Sequence, residues 1–427
     1  MQKYAEHSML HDAVEVQRRE MLSRLSERYV ERRLGVPYGD DDLIKVIIGP
    51  RRCGKSFLAM HLLAQAASRG YLNFDDERLV AVEDYDRLLA AVNAVYGNPR
   101  HLLLDEIQNL PKWELFVNRL QRQGYRLLLT GSNAHLLSGE LATHLTGRHL
   151  PIVLFPFSFA ESLSANPAAR TGSERAEAFL RYARDGGYPE PLLRDVDRGF
   201  YLRTLWDSVL YKDIVRRRRI RSVAGIEDLA GYLLANVGRE YSLNRLTTVT
   251  RCRGVQTVAK YIGHLEEAFL FFSLPRFSFK AREQATANRK IYCIDNGLVT
   301  ARATQFSPDL GRLVENLVAV ALHKRALDGV WQIFYWKDAR QREVDFVVKD
   351  GLQVTQLIQV CWDMSAPETR AREIRALLQA GRDLACDRLL VLTADADREE
   401  DVEWYGMRGR IRLLPVWRWL SESLAVE

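Results

Sequence analysis

"GPRRCGKS", residues 49–56, lies between the apolar run at 43–48 and a second apolar run at 57–63. This order predicts a strand, a glycine-bearing loop and a helix. Glycines let such a loop turn sharply, so that backbone N–H groups and the positive N-terminal end of the helix point at one place. The spacing GxxxxGKS in this context is typical of a loop that holds nucleotide phosphates.

We predict that the whole loop contacts the nucleotide, taken to be ATP. Lys55 is expected to reach the β- and γ-phosphates, and Ser56 is expected to hold Mg²⁺. The predicted nucleotide-binding residues are Gly49, Pro50, Arg51, Arg52, Cys53, Gly54, Lys55 and Ser56.

An acidic pair follows another apolar run in "HLLLDEIQ". Asp105 is predicted to bind Mg²⁺ through water, and Glu106 to polarise the water that attacks the γ-phosphate. An acidic pair in this position is often only a helix cap, so the interpretation depends on the phosphate loop. In "YRLLLTGSNAHLL" we predict that Asn133, with Thr130 and Ser132 as alternatives, hydrogen-bonds the attacking water and the γ-phosphate.

Arg148 stands in "LTGRHLPIVLFPFS", directly before another predicted strand. An arginine at this edge is suited to reach the γ-phosphate of a neighbouring subunit and to stabilise charge in the transition state. The alternative is a surface arginine that pairs with a local carboxylate.

Strands and helices alternate through the first part of the chain, which predicts a parallel sheet covered on both faces. The predicted strands span 43–48, 101–105, 125–130 and 149–155. Ahead of them, the spacing of Leu22, Leu25 and Tyr29 predicts a short amphipathic helix within residues 11–33.

The composition is that of a globular protein of roughly two to four domains: 427 residues, 47% hydrophobic and 27% charged. The five cysteines form no CxxC pair, so neither a disulfide framework nor a zinc site is indicated. We find no signal peptide and no apolar run long enough to span a bilayer, and therefore expect a cytoplasmic protein without a membrane partner. The net charge of +6 suits a polyanionic partner but is also common among metabolic enzymes.

Four motifs in order resemble the bacterial and archaeal AAA+ ATPases of the AAA_14 type, whose C-terminal half is a domain of unknown function. They are "GPRRCGKS", "YLNFDDERL", "LLLDEIQNLPKWE" and "LTGSNAHLLSGELATHLTGR". The resemblance implies a homo-oligomeric ATPase, a hexameric ring or an open arc, with ATP and Mg²⁺ as cofactors. It also implies Asn133 as a sensor and Arg148 as a candidate arginine finger, but it supplies no substrate.

The stretch "YSLNRLTTVTRCRGVQTVAKYIGHLEEAFLFFSL" predicts a winged helix–turn–helix, with a first helix from Leu243, a turn at 251–254, a second helix over 255–268 and a wing strand over 269–274. The second helix of such a unit can enter a major groove, although winged helices also dock proteins. The arginine run at 216–219 is either a phosphate-contacting surface or a solvated helix face. The candidate DNA contacts are Gln256, Thr257, Lys260, Arg216, Arg217 and Arg218.

The C-terminal segments "GRLVENLVAVALHKR", "REVDFVV" and "LIQVCWD" follow the order helix, strand, strand of restriction-endonuclease-like folds. Those enzymes hold Mg²⁺ with a helix Glu, a strand Asp and a Glu-x-Lys or Gln-x-Lys. Glu315 and Asp345 match the first two positions, but Gln359 and Cys361 stand where the acid and the lysine belong. We therefore predict a nuclease-like domain without nuclease activity.

The predicted architecture is an α/β chain with an AAA+ P-loop domain, a helical lid, a winged helix and a restriction-endonuclease-like α/β domain. The boundaries are 1–40 for the lead-in, 41–163, 174–225, 226–288 and 289–427. The leading hypothesis is an ATPase that couples hydrolysis to binding or remodelling of DNA, with branched DNA as one substrate class. The alternatives are an ATP switch that binds a protein partner and, more weakly supported, an ATPase fused to an active nuclease.

Overall fold

The computed structural model describes residues 2–34, 41–132, 147–166, 169, 171–302, 309–329 and 331–422. The chain divides into two compact units, Met1–Leu154 and Phe155–Glu427. Among the helices of the described ranges, none has the length and apolar character needed to cross a membrane.

A five-stranded parallel sheet with the order β2-β3-β4-β1-β5 forms the centre of the first unit. Its strands are β1 (Ile44–Ile48), β2 (Arg69–Asn73), β3 (His101–Asp105), β4 (Arg126–Gly131) and β5 (His149–Val153). The helices of this unit are α1 (Gln2–Leu25), α2 (Lys55–Ala64), α3 (Glu77–Val80), α4 (Tyr85–Tyr96) and α5 (Trp113–Arg122). Every residue of β1 is buried, as expected of a central strand in a parallel sheet.

The parallel sheet and four of its strands are confirmed, but the edge strand β2 was not predicted. β2 has only five residues, and Gly70 interrupts its apolar pattern. If residue 70 were alanine, its methyl group would lie only 2.9 Å from Leu102 Cδ2. Glycine therefore allows β2 to pack closely on β3. Close backbone approach therefore explains a residue that weakens the strand signal.

The lead-in helix buries a different face from the one predicted. Leu22 is 49% exposed, and Tyr29 lies beyond the end of α1 at Leu25. The buried face consists of Leu10, Ala13, Val14, Gln17 and Met21. Its spacing is helical, but two small or polar members, Ala13 and Gln17, hid it among the many charged neighbours.

A winged helix–turn–helix lies in the second unit, where a short sheet has the antiparallel order β6-β8-β7. Its elements are β6 (Glu240–Tyr241), β7 (Phe271–Leu274) and β8 (Arg289–Cys293), with α11 (Leu243–Val249), α12 (Val255–Glu267) and α13 (Ala281–Thr286), following α10 (Val223–Ala235). The preceding helices are α6 (Phe159–Ala165), α7 (Gly172–Asp185), α8 (Pro189–Leu193) and α9 (Arg198–Ser208), and α9 continues into a π-helix, Val209–Arg216.

The C-terminal part of this unit is a six-stranded mixed sheet with the order β13-β14-β12-β11-β10-β9. Its strands are β9 (Gln332–Lys337), β10 (Glu343–Asp350), β11 (Gln353–Val360), β12 (Leu389–Thr393), β13 (Arg398–Trp404) and β14 (Met407–Pro415). The helices are α14 (Asn296–Arg302), α15 (Leu310–Leu327), α16 (Pro367–Leu384) and α17 (Val416–Glu422).

The two edges of this sheet differ. At one edge, the β13–β14 hairpin turns through Tyr405 and Gly406, both with positive φ, and was not predicted because its strands are rich in charged residues. At the other edge, Phe277 N–H donates to the Tyr335 carbonyl of β9 at 2.7 Å, so a chain segment covers part of that strand.

Candidate functional site

The loop between β1 and α2 has a backbone that only glycine permits at two positions. Gly49 has a φ of 153°, and a Cβ there would lie 1.9 Å from the Leu154 carbonyl oxygen. Gly54 has a φ of 97° and immediately precedes the first turn of α2. The two glycines therefore fix the sharp turn that presents the N-terminus of α2 to a ligand.

Lys55 lies inside this loop rather than on the surface. Its side chain is buried, and Nζ donates to the carbonyl oxygens of Gly49, at 3.1 Å, and Pro50, at 2.8 Å. The ammonium is thus held against neutral carbonyl groups. In the described part of the chain no carboxylate forms an ion pair with Lys55, so phosphate oxygens at this loop would meet an ammonium that still carries its charge.

Asp105 ends β3, and the neighbouring strands and α2 supply its hydrogen-bond donors. Ser56 Oγ donates to Asp105 Oδ1 at 2.8 Å, Tyr71 OH donates to Oδ2 at 3.2 Å, and Thr130 Oγ1 also donates to Oδ1. Burial, followed by the neighbouring charge of Glu106, raises the pKa of Asp105 to about 6. A hydroxyl and a carboxylate at hydrogen-bond distance are a suitable donor set for Mg²⁺, which Ser56 and Asp105 would hold directly or through water.

Glu106 follows directly in a left-handed conformation, with φ 51° and ψ 44°. Its N–H donates to Thr130 Oγ1 at 3.0 Å, and the Gln108 amide donates to its carboxylate. Non-glycine residues in this conformation are uncommon and cluster at functional sites. The backbone therefore leaves the direction of β3 directly after Asp105.

The sequence missed two groups at this centre. Tyr71 belongs to the unpredicted strand β2, and Arg32 Nη1 donates to the Cys53 carbonyl of the loop at 2.9 Å. Thr130, an alternative to Asn133 in the sequence analysis, contacts both acidic residues through Asp105 Oδ1 and the Glu106 N–H. A polar residue within each apolar strand was the only available signal for Tyr71 and Thr130.

Two further residues predicted for this site are Asn133 and Arg148. Asn133 lies outside the described residues. Arg148 directly precedes β5 with an exposed side chain, while its carbonyl accepts a hydrogen bond from Ile44 N–H at 2.9 Å. Its backbone is therefore tied to the sheet and its guanidinium faces solvent.

In the winged helix, α12 has the two faces that the sequence indicates. Val258, Ile262 and Leu265 are buried, whereas Gln256 and Lys260 are exposed and Thr257 is half-buried. Of the arginine run, Arg216 and Arg217 are exposed. Arg218 instead pairs with Glu267 at 2.8 Å, which links the turn after the π-helix to α12 and makes this guanidinium less suited to bind phosphate.

The three predicted nuclease-remnant residues come together in the C-terminal domain. Glu315 lies on α15, Asp345 on β10, and Gln359 on β11, where its Oε1 accepts the Asp345 N–H at 3.2 Å. Lys290 of β8 contacts both acids, with Nζ 3.0 Å from Glu315 Oε1 and 3.0 Å from Asp345 Oδ1. Lys290 matches no position of the nuclease pattern, so its contact with these acids was not predicted from the sequence.

Cys361 also lies at this end of β11, and its thiol donates to the Asp363 carbonyl at 3.3 Å. Burial raises the pKa of Cys361 to about 11, so the thiol stays protonated at neutral pH. Among the described residues, no cluster of three or more His, Cys, Asp or Glu side chains is arranged to hold a metal ion.

Three family models match successive parts of the chain: an AAA domain (AAA_14) at 41–163, a domain of unknown function (DUF8612) at 176–309 and a second one (DUF4143) at 310–411. An uncharacterized protein of Methanocaldococcus jannaschii, MJ1544, is 30% identical over 395 residues, covering 88% of either chain. An uncharacterized protein of Haemophilus influenzae is 28% identical over 363 residues, covering 81% of this chain and 88% of that one.

Two solved structures also match. AMPPCP-bound DnaA from Aquifex aeolicus has a TM-score of 0.28 at 14% identity and covers 58% of this chain and 86% of that chain. CDC6P from Pyrobaculum aerophilum has a TM-score of 0.27 at 12% identity, with 70% and 98% covered. Both TM-scores are below 0.5, so the assignment depends on the family models and the full-length relatives. By these, the chain belongs to the AAA+ ATPases of the AAA_14 type with C-terminal domains of unknown function.

Proposed function

We propose that this protein hydrolyses ATP with Mg²⁺ and couples hydrolysis to binding or remodelling of DNA. The nucleotide part is supported by the buried Lys55 of the glycine loop and by the contact of Ser56 with Asp105. The DNA part is supported by one observation above all, the exposed polar face of α12 in a winged helix–turn–helix. Residues 41–163 would be the ATPase core, 174–225 its lid and 226–288, extended by the paired strand β8, the DNA reader. The rest of the predicted segment 289–427 would be a catalytically silent domain.

In the hydrolytic step, Lys55 would neutralise charge on the β- and γ-phosphates, while Mg²⁺ on Ser56 and Asp105 would polarise them. Glu106 would orient the attacking water and accept its proton. The hydrogen bond from the Glu106 N–H to Thr130 fixes the backbone from which that carboxylate projects. Asn133 would contact the same water and the γ-phosphate.

Assembly is the second element of the proposal. The Arg148 carbonyl accepts a hydrogen bond from Ile44, the first residue of β1, while the Arg148 side chain is exposed. The guanidinium is therefore accessible to a neighbouring subunit without unfolding of β5. In a ring or arc of identical subunits, one repeated interface would then bring each Arg148 to the next nucleotide.

A protein-binding switch is the second candidate function, and one observation favours it. Phe279, in the segment between β7 and β8, is 77% exposed. A large exposed aromatic side chain beside a winged helix is compatible with a protein contact.

The experiment that separates the two functions is DNA binding over a salt series. Lys260→Glu should weaken DNA binding and reduce the slope of DNA affinity against salt concentration, because a lysine–phosphate contact releases counterions from DNA. Basal ATP turnover should be unchanged, because Lys260 lies outside the nucleotide site. Lys112→Glu, which reverses an exposed lysine just before α5, is the control and should leave both unchanged. Absence of DNA retention at low salt would favour the protein-binding switch.

A further inference from the structure

Lys290 is a buried lysine that lies among three carboxylates. Its side chain is 3% exposed, and Nζ lies 2.7 Å from Glu343 Oε1 in addition to 3.0 Å from both Glu315 Oε1 and Asp345 Oδ1. Burying an ammonium group is costly unless anions and hydrogen bonds replace its water shell. The burial of the Lys290 ammonium is therefore compensated by the three carboxylates, and their burial is compensated by the ammonium.

The two acids of this cluster that match the nuclease pattern also accept other hydrogen bonds, which hold their carboxylates in place around the ammonium. Glu315 Oε1 accepts from Lys290 and from Tyr292 OH at 2.7 Å, while Asp345 Oδ2 accepts from the Val360 N–H at 3.0 Å. Gln359 is also engaged, since its Nε2 donates to Glu373 Oε2 at 2.8 Å. A divalent cation could coordinate Glu315 and Asp345 only after displacing the ammonium.

The contact joins two sheets. Lys290 and Tyr292 alternate along β8 of the winged helix and so project to one side of that strand. Glu315 belongs to α15 and Asp345 to β10 of the C-terminal domain. A second lysine reinforces the junction, since Lys337 Nζ of β9 lies 2.5 Å from Glu240 of β6 and 3.5 Å from Glu343.

We propose that Lys290 is the resident cation of this acidic centre: its ammonium occupies the place of a divalent metal ion and crosslinks β8 to β10 and α15. The centre is therefore a structural joint that holds the winged helix on the C-terminal domain. It performs no metal-dependent chemistry, and this conclusion does not depend on whether the winged helix binds DNA or protein.

Mn²⁺ binding, measured by electron paramagnetic resonance on the full chain without nucleotide, tests the first half of the proposal. Wild type and Asp345→Asn should bind the same amount of Mn²⁺, because the lysine excludes the ion from Asp345. Lys290→Ala should gain one bound Mn²⁺ that Lys290→Ala/Asp345→Asn lacks. Mn²⁺ that wild type loses on Asp345→Asn, or a folded Lys290→Ala protein that gains none, would overturn the proposal.

Thermal unfolding tests the crosslink. Lys290→Met should lower the Tm of the transition of this unit by roughly 6–15 °C, because three carboxylates lose their cation. Lys280→Met removes an exposed lysine of the preceding segment, which pairs with Glu283 on the surface, and should leave the Tm unchanged. In the double variant Lys290→Met/Asp345→Asn, part of the loss should be recovered. Equal Tm values for Lys290→Met and wild type would contradict the crosslink. If Lys290→Met does not fold, the comparison of Mn²⁺ binding between wild type and Asp345→Asn becomes the decisive measurement.

Discussion

The candidate nucleotide site around Lys55 and Asp105 and the acidic centre around Lys290 and Asp345 each contain a buried lysine and a buried aspartate, but the two charges are arranged differently. In the first, Lys55 is bonded to loop carbonyls and Asp105 to hydroxyl groups, and these two described residues form no ion pair with each other. In the second, Lys290 is bonded directly to Asp345. Charges kept apart by neutral hydrogen bonds remain available to a phosphate and a metal ion, whereas charges in contact neutralise each other.

The largest effect expected from this difference concerns Glu106. Glu106→Gln should leave ATP binding intact and reduce turnover by up to about 10⁴-fold, because the amide cannot accept a proton from water. Lys55→Ala should instead weaken ATP binding, since it removes a cation that faces phosphate in the ground state. Nucleotide titration and steady-state ATPase rates check both. Equal losses of nucleotide affinity in the two variants would exclude the role given to Glu106.

The next effect concerns Arg148. Arg148→Ala should slow turnover by about 10³-fold if its guanidinium stabilises the transition state of a neighbouring subunit. Mixing Arg148→Ala with Lys55→Ala protein should restore part of the rate, because some interfaces then combine an intact loop with an intact arginine. If labelled subunits exchange and the mixture still stays inactive, Arg148 either acts on the nucleotide of its own subunit or has only a structural role.

A smaller effect is expected at Tyr71. Tyr71→Phe removes the hydroxyl group that donates to Asp105, and should raise the Mg²⁺ concentration for half-maximal ATPase activity by roughly three- to tenfold. Tyr96→Phe is the matched control, because the Tyr96 hydroxyl donates only to the Tyr71 carbonyl, at 3.4 Å, in the described contacts. A Mg²⁺ dependence that shifts equally in both variants would mean that packing, and not the Asp105 contact, is responsible.

No effect on ATP turnover is expected at Asp345. Asp345→Asn should leave the ATPase rate unchanged at temperatures where the variant is folded, and wild type should not cleave linear, nicked or branched DNA with Mg²⁺ or Mn²⁺. The reason is that Lys290 blocks the carboxylates and Cys361 stays protonated. Cleavage products that disappear in Asp345→Asn would make the two centres alike after all.

The sequence predicted the features that depend on local pattern. Central parallel strands such as β1 and β3 are continuous apolar runs because both faces are buried, and the phosphate loop is specified by glycines at fixed spacing. Helix α12 was also predictable, because its buried residues recur at helical spacing.

Contacts between distant segments could not be predicted in this way. Lys290 lies 25 residues from Glu315 and 55 residues from Asp345, so no local pattern relates them. The hydroxyl of Tyr71 reaches Asp105 only because β2 pairs with β3, with Leu72 opposite Leu104. The β13–β14 hairpin was missed for another reason, since cross-strand ion pairs such as Arg410 with Asp401 replace the apolar alternation that marks a strand.

The β13–β14 hairpin also affects how copies of this chain can associate. The unpaired edge of β13 has alternating exposed charges, which disfavour the addition of a strand from another chain. At the opposite edge, the hydrogen bond from Phe277 N–H to the Tyr335 carbonyl occupies part of β9. The addition of a strand from another copy of the chain is therefore disfavoured at both edges, and a high local concentration of the protein would not by itself cause aggregation through this sheet.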